Sequence, residues 1–521
     1  MKLNETFELS FQGEVLENNY ALIDLLAVFV NGDTSVTVKG FYDGEGVYKI
    51  RFLPEKTGVW SWKVTGLFEE EGEEECVSSG SHGIVRAEGT HFAYSDGPVY
   101  MPFGTTVYAM ASQPDDLVEE TLETLKNAPF NKLRTCVFPK HFKYNGNEPP
   151  YYAFRCMNDV YQKNDGSQWD VNTPDLNFWH RFEKILKRLE YLDIQVDLIL
   201  FHPYDCWGFS RMGLQNDLVY LEYLLRRLSA FPHIWWSLAN EYDLCEDKTM
   251  EDWYAIEQYV HDHDPYHHLL SNHHCIAPWD TGRENITHGS YQTAVFNLID
   301  DIQKETGKPV MIDECRYEGN LPEQWGCISG KNMVDRFWKV CTVGGYCTHG
   351  ETFITEDVND EDDVVFWAKG GKLQGESIPR IAWMRKFFES LPPLRHNNGQ
   401  LMTMFSAAEA ENYEDLKQSL PADIRVFTDS YRRLQSPYKE QYDAAIFEYN
   451  GRYEDEILLS YLGDQKGIST PIVLPEGNTY RIDVIDTWNM TRETVLEGAS
   501  GLVYVKTLEK EMTAVLAVKE K

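Results

Sequence analysis

The chain predicts an α/β fold, a (β/α)8 barrel preceded by an N-terminal β-sandwich and followed by a smaller all-β module. Three observations carry this. Between about Gly104 and His349, short apolar runs alternate with amphipathic helical stretches, the rhythm of parallel strands covered by helices. Before that segment, short β-branched and aromatic runs are separated by turn residues, as in sandwiches. After Leu391-Pro392-Pro393-Leu394 the strand pattern returns. The divisions expected are an Ig-like sandwich over 1–92, the barrel over 93–395 and a C-terminal β-sandwich over 396–521.

In the first module the expected strands are 7–11, 25–30, 35–41, 48–52 and 59–65, with turns at Asn31-Gly32-Asp33 and Asp43-Gly44-Glu45-Gly46. The glutamate-rich run 69–75 has no apolar partner and reads as a solvated loop. Barrel strands are expected at 104–108, 132–138, 195–201, 234–239, 268–272, 286–289, 310–314 and 345–349. Helices at 116–128, 176–192, 214–230, 250–263, 293–306 and 332–343 alternate with them, and a last helix covers 378–391. The closing module has expected strands at 444–449, 456–461, 479–486, 501–506 and 513–518.

Composition narrows the function. A formal charge of −35 over 521 residues repels phosphate backbones and anionic lipid, so nucleic acid and membrane are excluded as expected partners. With 13% aromatic residues the acidic excess is not the signature of disorder. The first residues have no apolar signal core, and no run of about 18 apolar residues occurs. The expected location is the cytoplasm. Nine of the ten cysteines lie between 136 and 347 without a CxxC pair, which reads as reduced thiols.

In such barrels the reacting groups sit at the C-terminal ends of strands. Strand four ends in Trp235-Trp236-Ser237-Leu238-Ala239-Asn240-Glu241, and strand seven in Val310-Met311-Ile312-Asp313-Glu314. Two carboxylates from nearly opposite strands can face each other across the mouth. Glycoside hydrolysis needs that pair, one to protonate the leaving oxygen and one to attack or to activate water.

Asn-Glu after strand four with Glu after strand seven resembles clan A of the retaining glycoside hydrolases. That resemblance implies Glu241 as acid/base, Glu314 as nucleophile and Asn240 at the sugar 2-hydroxyl. The stretches 38–44 with 51–54, Phe138-Pro139-Lys140 with 144–149, 348–352 and 369–376 are similar to bacterial proteins in which a β-sandwich precedes an apiosidase-like barrel and a small β-domain follows. This likeness spans essentially the whole chain and implies a carbohydrate substrate without naming the sugar.

Further candidates follow from position. His202 and Trp207 come after strand three, and Tyr291 comes after strand six, where it can donate to the nucleophile or simply pack. Arg134 inside strand two must be paired, and the nucleophile carboxylate is one partner. Lys140, Asn145 and Asn147 lie on the loop after strand two, within reach of sugar oxygens or Glu241 or else solvated. His349 and Glu351, with Tyr346 and Thr352, leave strand eight toward sugar hydroxyls, and Trp207, Trp325 and Trp367 are candidate stacking platforms. The histidines between 261 and 274 suggest a metal cluster at first sight. Strand one lacks the His-x-His of metal-dependent barrel hydrolases, so neither metal nor cofactor is expected. The acidic run 356–363 lacks EF-hand spacing and reads as solvated. The rival reading is a non-catalytic carbohydrate-binding barrel; a homo-oligomer stays open.

Overall fold

The computed structural model describes residues 1–157, 166–355, 364–401, 404–410, 412–445 and 447–520. The chain divides into two compact units. One comprises Met1–Gln292, Lys308–Cys327 and Thr348–Gln374, and the other comprises Thr293–Gly307, Ile328–Cys347 and Gly375–Lys521.

The first unit opens with two antiparallel sheets. One has the order Phe7–Gln12, Val47–Phe52, Phe41–Gly44, and the other Thr34–Lys39, Leu25–Asn31, Gly58–Gly66, Glu70–Cys76. Alternate residues point inward, and Phe29 stacks on Phe52 at 4.0 Å between ring centres with Trp60 edge-on. The expected single strand 35–41 is two strands. At Gly40 the chain passes from one sheet to the other, and a Cβ there would lie 2.8 Å from the Lys49 carbonyl. The glutamate run is also a correction: Glu70–Cys76 is an edge strand, not a loop. Pairing with Gly58–Gly66 supplies its structure, Gly72 lies under the Trp62 ring, and the exposed glutamates discourage a further strand from adding.

This β-module is fastened to barrel helices Leu176–Tyr191 and Leu214–Leu228 by buried charge. Arg51 donates to Glu183 Oε2 at 2.8 Å, and Arg227 donates to Glu183 Oε1 at 2.5 Å and to Asp43 at 2.7 Å. Burial raises the Glu183 pKa, but the two guanidiniums outweigh it and hold the carboxyl at about 2.

The barrel strands, in chain order one to eight, are Phe103–Thr106, Lys132–Cys136, Gln195–Phe201, Ile234–Ala239, Leu270–Ser271, Gly289–Gln292, Val310–Glu314 and Tyr346–His349. Their order in the sheet is five, four, three, two, one, eight, seven, six, and a parallel bridge between His273 and Ser290 brings its two edges together. The eight-stranded parallel expectation holds. Strand six starts later than expected because its register on strand seven begins with Gly289 opposite Val310, and the helix after it starts only at Leu298. Inside the barrel, Lys132 bonds Asp197 and Asp313, each at 2.7 Å, and Arg134 Nε lies 3.3 Å from Asp197. All four side chains are fully buried.

The second unit packs helices Gly330–Thr342 and Ser377–Glu389 together, and Trp338 of the first stacks on Tyr461 of a six-stranded antiparallel sheet. The segment 404–445 is a difference from expectation. It forms helices Met404–Glu409, Tyr413–Ser419, Ala422–Arg432 and Tyr438–Ala445, and the strand expected from 444 begins at Tyr449. Tyr413, whose hydroxyl bonds Thr428 and Asp429, ties two of these helices together. No helix of the described residues is long and apolar enough to cross a membrane.

Candidate active site

Strand four is buried along its whole length and delivers Asn240 and Glu241 to the barrel mouth. Glu241 has φ 52° and ψ 55°, a left-handed conformation that costs a non-glycine residue about 1–3 kcal/mol and turns the chain sharply there. Asn240 Nδ2 donates to Glu241 Oε2 at 3.2 Å, and the Tyr204 phenol and the Cys275 thiol lie close enough to feel its charge. Its backbone N–H donates to His273 Nδ1 at 3.3 Å.

Glu314 ends strand seven. The Tyr108 hydroxyl donates to its Oε1 at 2.6 Å, and the Tyr317 hydroxyl lies 3.5 Å from that of Tyr108, to which it donates. Lys140 lies between the two halves of the site. Its ammonium is 4.1 Å from the Tyr108 ring centre and 4.2 Å from that of Tyr204, so one cation is shared by the phenol that bonds Glu314 and the phenol near Glu241.

Burial and the neighbouring Glu241 charge push the Glu314 pKa up to about 7, against the opposing pull of Lys140, the Tyr108 hydrogen bond and Arg134. Burial and these acids raise Tyr108, Tyr204 and Tyr317 far above the usual phenol range, which keeps them donors. Burial and Glu241 push the Cys275 thiol up to about 12.

Residues 87–395 match the family model described as "Apiosidase-like, catalytic domain". The chain belongs to the apiosidase-like family. Residues 2–66 and 443–517 match two domains of unknown function, DUF5060 and DUF5605. Among solved structures, a provisionally assigned glycoside hydrolase from Bacteroides vulgatus is 30% identical with a TM-score of 0.82, over 100% of this chain and 99% of that one. A family 5 glycoside hydrolase from the same organism is 14% identical with a TM-score of 0.60, over 84% of this chain and 93% of that one, and shows the fold alone. None of the curated proteins matches the sequence.

Within this apiosidase-like barrel several expected residues adjoin the acid pair. Asn240 touches Glu241, and Lys140 is held by both flanking tyrosines. Asn145 donates to the Lys140 carbonyl and accepts from Gln113, and Asn147 donates to the Ser112 carbonyl, so both amides hold the loop. Arg134 is paired, though with Asp197, Ser237 and Asn240 Oδ1, the last at 3.5 Å. It orients the amide beside Glu241 and acts on Glu314 through its charge. His202 is buried, with Nε2 on the Phe138 carbonyl at 3.2 Å; burial lowers its pKa to about 4 and keeps the ring neutral.

Others differ from expectation. The Tyr291 hydroxyl bonds Thr281 Oγ1 at 2.7 Å, and the phenol on Glu314 is Tyr108. Gly289 leaves the room in which the Tyr291 ring lies back along its strand. Trp207 and Trp367 are buried and donate to Glu148 and Thr105, which makes them anchors; Trp325 keeps part of its surface in solvent. His349 and Glu351 are fully buried and turn toward each other and Glu318. The acidic run 356–363 lies outside the described residues.

Tyr108, Tyr204, Tyr317, Cys275 and His274 were not assigned to the acid pair from the sequence, and His274 was read only as one of a histidine group. Signals for two existed: Tyr108 ends the first expected strand, and Tyr204 stands two residues beyond His202. His274 is buried and next to Tyr291, and neither ring nitrogen has a hydrogen-bond partner among the described residues.

Proposed function

We propose that this apiosidase-like glycoside hydrolase is an exo-acting O-glycosidase that retains anomeric configuration, with Glu314 as nucleophile and Glu241 as general acid/base. The observation that carries the reading is the Tyr108 hydroxyl on Glu314, backed by the Tyr317 hydroxyl and with Lys140 against the Tyr108 ring. Donors of that kind favour the ionised carboxylate, the form that attacks.

In the first step a Glu314 oxygen bonds to the anomeric carbon while the glycosidic C–O bond breaks, and Glu241 gives its proton to the departing oxygen. Ester formation removes the negative charge from Glu314. Glu241, having given up its proton, is then the carboxylate that serves as base. It takes a proton from water, whose oxygen attacks the anomeric carbon, and the ester bond breaks to restore the Glu314 carboxylate. Asn240, fixed by Arg134, suits the sugar 2-hydroxyl, and His274, His202 and Trp325 suit its other faces. Free cysteines, two of them exposed, suit a reducing cytoplasm and short imported glycosides.

A 2-deoxy-2-fluoro glycoside with an activated leaving group is the test. Mass spectrometry is expected to find one glycosyl group on the peptide carrying Glu314. A product of inverted anomeric configuration would overturn the assignment, since inversion requires a water between carboxyl groups about 6.5–9.5 Å apart.

A further inference from the structure

We propose that Glu318, His349 and Glu351 bind one divalent transition-metal ion of the zinc or manganese type, in a structural role next to the catalytic strands. The sequence pointed to no metal here, because the three residues become neighbours only through the strand pairing. Glu318 stands opposite Glu351 in a parallel pair of short strands, so both side chains leave the same face, and His349 comes from the end of barrel strand eight. One ligand atom from each lies within 4.8 Å of the others, and no residue of the three is more than 2% exposed.

The imidazole is the informative member. Thr105 Oγ1 accepts from Trp367 Nε1 at 2.8 Å and lies 3.3 Å from both the His349 carbonyl and His349 Nδ1. With its own proton on the carbonyl, that hydroxyl accepts from Nδ1–H, which leaves Nε2 as a bare lone pair. Phe130 stacks on the ring at 5.0 Å and holds its orientation. Nε2 has no hydrogen-bond partner among the described residues, and Glu351 Oε2 lies 3.6 Å away. Two lone-pair donors that close, too far apart to share a proton well, are spaced as ligands on one ion are: bonds of about 2.1 Å at a tetrahedral angle separate them by about 3.4 Å.

Glu351 Oε1 meanwhile accepts the Gln374 N–H at 2.5 Å, an outer contact that fixes the carboxylate beside the imidazole. Two buried carboxylates suit a dication, and the imidazole favours a transition metal over calcium or magnesium. Glu318 follows Tyr317 directly, so an ion here would stiffen the segment that sets the Tyr317 phenol against Tyr108, the donor to Glu314.

The test uses the full chain. Protein expressed in metal-replete medium and dialysed is expected to carry about one equivalent of zinc or manganese. Chelation should remove it and lower the Tm, and adding ZnCl2 or MnCl2 to the stripped protein should restore about 5 °C or more. His349→Ala and Glu351→Gln are expected to abolish both the bound metal and the metal-dependent Tm shift, whereas Glu314→Gln keeps both, which separates this site from catalysis. Wild-type protein that carries no metal and shows no Tm shift with either salt would overturn the proposal, and it needs no variant to fold. Calcium or magnesium giving the larger shift would overturn the assignment to a transition metal.

Discussion

Asp313 and Glu314 are consecutive on one barrel strand, both are carboxylates within the barrel unit, and their proton affinities go opposite ways. Burial raises both. At Asp313 it is overcome by Lys132 and Arg134, with Lys132, Ser290 and Thr348 donating at 2.7, 2.6 and 2.9 Å, so its carboxyl stays far below the usual range. At Glu314 the neighbours are phenols and another carboxylate, and burial plus that like charge win. Desolvation sets the stakes at each position; the partner decides the sign. One residue along the strand separates a fixed structural charge from one that can change during a reaction.

Glu314→Gln breaks the comparison most. It should lower kcat by about four orders of magnitude by removing the nucleophile. The same variant tests the raised pKa through stability. A carboxyl whose folded pKa exceeds its unfolded value near 4.5 contributes stability at low pH that is lost as pH rises through about 7. Melts at pH 4.5 should therefore show little difference from wild type, and melts at pH 8 should show the variant with the higher Tm. A lower Tm at pH 8 would mean that the ionised carboxylate is the favoured guest of the fold.

Lys132→Met attacks the other residue. It leaves Asp197 and Asp313 buried with Arg134 as the remaining cation, and an uncompensated buried charge costs about 3–5 kcal/mol. Urea unfolding should show that loss, and Asp313→Asn in the same chain should recover part of it. Equal destabilisation in the single and double variants would mean that the ion pairs do not couple.

The difference between these two layers also marks what could be read from the sequence. Buried parallel strands are continuous apolar runs, so the eight-fold rhythm and the acids that close runs four and seven were legible. Which phenol reaches an acid was not, because it depends on where a side chain goes after its strand ends. Tyr291 was expected beyond its strand but lies within it, whereas Tyr108 lies beyond the end of strand one and is brought to Glu314 at 2.6 Å. Glu70–Cys76 was illegible for a different reason, since its structure comes from the strand it joins and not from its own residues. His349 and Glu351 were legible as a polar strand exit, but the cross-strand partner Glu318 was not. The helices of 404–445 lie beside a module of strong strand signals, and their amphipathic pattern was passed over there.

Tyr108→Phe is a smaller change within the same region. It deletes one hydrogen bond to the ionised form of Glu314 and leaves the ring that carries Lys140. A loss of about 10²-fold in kcat is expected, comparable to removal of one preorganised donor. The acidic limb of kcat/KM should move to higher pH, because the carboxylate loses a group that favoured its charge. An unchanged limb with reduced kcat would show that Tyr108 acts on geometry alone.

Glu241→Gln should move that limb the other way, by about one pH unit, a tenfold change in the proton equilibrium. The Glu241 charge is, after burial, the largest influence raising the Glu314 pKa, and a carboxamide of the same shape removes the charge while keeping an oxygen to accept from Asn240. An aryl glycoside with a good leaving group keeps the first step measurable without the acid, so the limb can be followed in single-turnover assays. A shift to lower pH would establish that Glu314 owes its high proton affinity to its partner across the mouth. No shift would place the cause in burial, and the coupling of the two carboxylates would then fail as an explanation. Asp313, whose partners neither substitution touches, should keep its charge throughout, and the stability of Glu241→Gln at pH 5 should match that of the wild type.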